Sequence, residues 1–146
     1  MQSTTQFPTS ESSNKQISYR FFIFLGFLIW LTATVILRLW GQVILIPDNN
    51  LVMGLNFLWS LLFLPLIVYG VIRWQNVKPQ QRINLALCLG IPGMLLDVPT
   101  TYFFPQVFPN MSVAVDRLYG GWLLWGYAIV FLTGVISSLK RNSQKV

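Results

Sequence analysis

From Leu51 to Ile72 the chain runs twenty-two residues without an Asp, Glu, Lys or Arg. As a helix that stretch would be about 33 Å long, enough to cross the roughly 30 Å hydrocarbon core of a bilayer. Three other stretches have the same character. Residues 21–46 are interrupted only by Arg38, residues 83–104 carry Asp97 as their only charge, and residues 118–139 carry none. Pro65, Pro92 and Pro99 fall inside these stretches. A membrane helix tolerates such prolines because its neighbours can satisfy the backbone groups that proline frees. The chain is therefore expected to be all-α: a polytopic membrane protein folded as a four-transmembrane-helix bundle. Pro47-Asp48-Asn49-Asn50 is a turn signal between the first two spans, and the run 105–110, Pro-Gln-Val-Phe-Pro-Asn, is too rich in proline to extend a helix. That run is aromatic enough to lie at the membrane interface, and the loop 105–117 is expected on the bundle's outer face.

Composition agrees with this reading. Hydrophobic residues make up 54% of the chain and charged ones only 10%, against about 25% charged in an ordinary soluble domain. Histidine is absent and Cys88 is the single cysteine, which rules out a disulfide within the chain and a zinc site built from Cys and His. No metal and no cofactor is expected, and Cys88 reads as a small hydrophobe in an apolar run. Residues 1–19 are polar, rich in Ser, Thr, Gln and Asn, and read as a disordered cytoplasmic tail. Residues 20–139 form the membrane domain and residues 140–146 a basic tail.

The net charge of +6 does not point to nucleic acid, because the basic residues sit at the ends of apolar segments. Lys15, Arg20, Arg73, Lys78, Arg82, Lys140, Arg141 and Lys145 fall on one side of the predicted bundle, and only Arg38 and Arg117 on the other. The rule that cytoplasmic loops carry the excess of Lys and Arg places both termini inside. The partner this implies is the bilayer itself; a homo-oligomer or another membrane protein remains open. Trp40, Trp59, Trp74, Tyr102, Tyr119 and Trp122 fall near span ends, where an aromatic belt belongs. Trp30, Trp125 and Tyr127 fall away from the ends and read as packing residues.

Most catalytic constellations are missing, so the chain is not expected to be an enzyme. What remains is the intramembrane charge. Ala86, Gly90, Gly93, Asp97, Thr100 and Thr101 share one helical face. Such a small and polar stripe suits contact with other helices rather than lipid. At 1.5 Å per residue Asp97 lies about 21 Å from the cytoplasmic edge and Arg38 about 25 Å, while Asn56 lies about 8 Å below the outer edge. Asp97, Arg38 and Asn56 are thus expected at similar depth, with Thr34, Arg38, Gly41 and Gln42 as the face turned toward the acid. Three readings are open. Arg38 and Asp97 pair and fix helix register. Alternatively Arg38 reaches the outer headgroups and Asp97 bonds to Thr or Asn neighbours. In the third, Asp97 titrates or binds a solute in an outer-half polar cavity.

The segments Pro92-Gly-Met-Leu-Leu-Asp97, Val107-Phe-Pro-Asn-Met111, Gly121-Trp-Leu-Leu-Trp125-Gly-Tyr127 and Leu132-Thr-Gly134 resemble a bacterial family of small four-span integral membrane proteins of unknown function. The resemblance implies four helices and a bacterial inner membrane, and supplies no catalytic residues. The expected role is an accessory, assembly or membrane-environment protein. The alternative is an oligomeric small-solute or proton-coupled transporter that uses Asp97.

Overall fold

The structure, a computed structural model, describes residues 18–139. The tail positions 1–17 and 140–146, including Lys15, Lys140, Arg141 and Lys145, lie outside the described residues. Four long helices make up the fold: α1 (Tyr19–Ile44), α2 (Asn50–Trp74), α3 (Arg82–Tyr102) and α5 (Asp116–Leu139). Each is long and apolar enough to cross a membrane. A one-turn α4 (Phe104–Val107) and two short 3-10 turns complete the chain, and no strand occurs among the described residues.

The helix ends follow from local chemistry. Asn49 caps α2, its side-chain oxygen accepting from the backbone N–H groups of Leu51 and Val52 at 3.1 Å each. At the other end of α2, Asn76 takes a left-handed φ of 49°. Its N–H donates to the Arg73 carbonyl at 3.3 Å, and Val77 N–H donates to that of Ile72 at 3.0 Å. This is a Schellman closure, and the side chains of Val77 and Ile72 share one buried cluster beneath it. Arg82 meets the end of α5: its guanidinium donates to the Ser137 carbonyl at 2.6 Å, in the last described turn of that helix, where a cation is favourable.

The helices pack in the order α1, α3, α5, α2. α3 is the most buried of them, and α1 and α2 meet through side chains. Two apolar clusters fill the interior. One, at the end where α1 and α3 begin and α2 and α5 finish, gathers Phe22, Val68, Ile72, Val77, Leu85 and Leu89; this is the near end. The other, at the far end, includes Leu37, Leu45, Met53, Phe104, Phe108 and Tyr119.

Glycine sets how closely α1 approaches α3. A Cβ added at Gly26 would lie 2.5 Å from the Leu89 carbonyl oxygen and 2.9 Å from that of Cys88. Cys88 lies four residues before Pro92, which has no N–H to offer its carbonyl. The missing side chain of Gly26 and the missing donor of Pro92 therefore occur at the same contact. Gly26→Ala is expected to destabilise the bundle by about 1–3 kcal/mol, since backbone rather than a flexible side chain must move. Gly70→Ala, at a site with nothing within 4 Å of an added Cβ, should instead be neutral or stabilise by up to about 1 kcal/mol through helix propensity. Unfolding of the detergent-purified variants measures both, and equal effects would discount the contact.

Two expectations from sequence are corrected here. The proline-rich run does form a helical turn, because Pro105 occupies the first turn of α4, where no amide donor is required. Its inner side is packed: Phe108 of the run and Phe104 just before it are 0% and 1% exposed. They stand four residues apart on one face of the turn and pack with Tyr119 as a trio of rings, centroids 5.2–5.5 Å apart. Tyr119, expected in an aromatic belt, is itself fully buried, whereas Trp40, Trp59, Trp74 and Tyr102 are exposed.

Candidate functional site

Between the two apolar clusters lies a polar joint centred on Asp97. Its helix buries Leu85, Ala86, Leu89, Gly90, Gly93, Asp97 and Thr100, while Thr101 is half-buried. Ala86 faces Gly134 of α5, and Gly90 faces the ring of Phe131. These small residues let α5 close on α3, which brings the Asp97 carboxyl into an interior where it is 6% exposed.

Both carboxyl oxygens find donors there. Trp30 of α1 donates its Nε1–H to Oδ1 at 2.7 Å. The hydroxyl of Tyr127 on α5 donates to Oδ2 in a short hydrogen bond. Thr100 Oγ1 is 3.4 Å from Oδ1 but closer to the carbonyls of Asp97 and Leu96, at 3.0 and 3.2 Å, so its proton serves mainly its own helix. The hydroxyl of Tyr119 is a further polar neighbour. The carboxyl thus joins three helices: α1 through Trp30, α3 through itself and α5 through Tyr127. Gly93, one turn earlier on α3, makes room for this, since a Cβ there would lie 2.6 Å from the Tyr127 hydroxyl oxygen.

The expected convergence of Asp97, Arg38 and Asn56 does not form. Arg38 is exposed, and its Nη1 donates to the carbonyl oxygens of Val107 and Gln106. Asn110 answers by donating to the Arg38 carbonyl at 3.0 Å, so this end of α1 is clamped to the segment after α4. Asn56 donates to the carbonyl of Ile44 and thereby closes the last turn of α1. The reason is axial as well as angular: Asp97 meets Trp30, eight residues before Arg38 on α1, and Asn56 meets Ile44, six residues beyond it. The buried residues of α1 are Phe22, Gly26, Leu37 and Gly41. Arg38 follows Leu37 by one position, about 100° around the helix. Gly41 is filled over by the Met111 side chain, and Gln42 is exposed. No cation of the described residues contributes to the surroundings of Asp97.

Trp30 and Tyr127 were read from the sequence as packing residues. One signal could have found them: both lie far from the span ends, and each carries a polar hydrogen that needs an acceptor when buried. Asp97 is the only acidic side chain in the apolar stretches 21–46, 51–72, 83–104 and 118–139. Apart from the Trp30 Nε1–H donor the joint offers oxygen atoms, and among the described residues no three His, Cys, Asp or Glu side chains come together.

Residues 44–141 match a family described as a family of unknown function (DUF5367). The match spans more than half of the chain, which belongs to that family. No curated protein and no solved structure matches the chain.

Proposed function

We propose that this member of a family without an assigned activity is a non-enzymatic multi-pass protein of the cell membrane. Both of its ends lie on the cytoplasmic side, and it serves in assembly with other membrane proteins or in shaping the membrane environment. The four long apolar helices support the membrane setting, and the bias of Lys and Arg toward one side supports the orientation. The observation that carries the non-enzymatic reading is the occupancy of Asp97. Both oxygens are held by donors from other helices, as expected of a group that holds a bundle together.

A transport role for an oligomer is the second reading. It is favoured by a buried carboxyl whose neighbours include no cation among the described residues. It also requires a path to Asp97 from outside, and the side chains of Phe104, Phe108 and Tyr119 fill the far end of the bundle. Reporter fusions at Val146 test orientation: a fluorescent cytoplasmic reporter should be active and a secreted phosphatase silent. The reverse pattern would invert the topology. Release of the chain by carbonate washing would remove the membrane reading altogether. Loss of a pH-dependent flux in Asp97→Asn protein that still folds would replace the non-transport reading with transport.

A further inference from the structure

We infer that the near end of the bundle, at Arg20 and Arg73, binds the phosphate headgroup of an anionic lipid; this rests on the membrane reading above. The rings of Phe21 and Trp74 lie 6.0 Å apart, centroid to centroid. They bring the first turn of α1 against the last turn of α2. Arg20 and Arg73 are the chain neighbours of those two rings, and both are exposed. Among the described residues neither guanidinium has a hydrogen-bond or ion-pair partner.

Among the described residues no acid stands at this end, and Arg82 is engaged with the carbonyls of Ser137 and Val77. Of the described acids, Asp48 and Asp116 stand at the far end and Asp97 is buried. A pair of guanidinium forks on adjoining helix ends suits a phosphodiester, whose oxygens accept two parallel N–H bonds. The surroundings favour a lipid over free phosphate. Tyr19 and Trp74 present exposed rings at headgroup level. Ile23 and Phe24 continue from Arg20 as an exposed apolar track along α1, which an acyl chain can follow and inorganic phosphate cannot use.

The test uses the full chain in a neutral detergent, titrated with phosphatidylglycerol whose acyl chains are brominated, with quenching of tryptophan fluorescence as the readout. Wild type should bind this lipid saturably. The Arg20→Gln/Arg73→Gln pair should bind about thirtyfold more weakly, at roughly one interaction of surface strength lost per arginine. Arg117→Gln, at the far end, should bind as wild type does. Circular dichroism confirms that the helices persist in each variant. Equal affinity in the double variant would overturn the site. Equal quenching by brominated phosphatidylcholine, or displacement by inorganic phosphate at matching concentration, would also overturn it. Failure of the membrane reading is distinguished by the carbonate wash, which does not depend on these arginines.

Discussion

Asp97→Leu is expected to lower the unfolding free energy by about 3 kcal/mol. Leucine keeps the branched outline, but its methyl groups are bulkier than the carboxyl oxygens, so some repacking adds to the cost. What it removes is the acceptor for two donors, Trp30 Nε1–H and the Tyr127 hydroxyl, and each buried donor left unpaired costs about 1–3 kcal/mol. Asp97→Asn should cost only about 1 kcal/mol. Its amide oxygen can still accept from Trp30, and its NH₂ group can donate to a Tyr127 hydroxyl that turns from donor to acceptor. Adding Tyr127→Phe to Asp97→Leu should recover about 1 kcal/mol, because one of the orphaned donors is then gone. Chemical unfolding of the detergent-purified proteins, followed by near-ultraviolet circular dichroism, measures all three. If Asp97→Leu is as stable as wild type, the hydrogen bonds do not hold the three helices together. If Asp97→Asn alone costs as much as Asp97→Leu, the negative charge matters more than the acceptor geometry.

The contrast between Trp30 and Arg38 shows where sequence reasoning reaches its limit. The helices were legible because hydropathy and length decide them: all four long helices begin and end within two residues of the apolar stretches. The stripe on α3 was legible because small residues at helical spacing have a steric consequence. Relative depth between spans was not legible: Asp97 meets Trp30, eight residues before Arg38 on α1, and Asn56 meets Ile44, six residues beyond it; only the order along each helix was legible, since rise per residue is constant. Azimuth was not legible either. Which direction a side chain on α1 faces depends on which stripe of α1 meets α3, and that was set by Gly26 against the carbonyls of Cys88 and Leu89. Once that contact is made, Trp30, one turn further along the same face, reaches Asp97, and Arg38 is turned away. A charge attracts the eye in an apolar sequence, but the partner of Asp97 came from aromatic side chains whose polar hydrogens are easily overlooked.

The segment after α3 was the least legible part, and it carries the second large effect. Phe108→Ala should destabilise the protein by about 3–5 kcal/mol, the range for deleting a fully enclosed aromatic ring. Phe108 is 0% exposed and packs against Phe104 and Tyr119, with centroids 5.2 Å away in both cases. Collapse of neighbours into the space is restricted, because α4 is tied down on its other side. Arg38 holds the carbonyls of Gln106 and Val107, and Asn110 holds the carbonyl of Arg38. Prolines at 105 and 109 made this run look like a surface loop. Instead Pro105 starts a helical turn and the two phenylalanines become its inner face. Phe108→Leu, which keeps most of the volume, should cost less than about 1.5 kcal/mol. Thermal unfolding of the two variants against wild type reads the difference. A cost for Phe108→Ala no larger than that for Phe108→Leu would mean that the segment sits on the bundle rather than in it. The ring's loss should also free Tyr119, the buried neighbour shared with Asp97. Phe108→Ala and Asp97→Leu are therefore expected to combine non-additively, as sites that share a contact do. Strict additivity of the two would separate the far-end cluster from the polar joint.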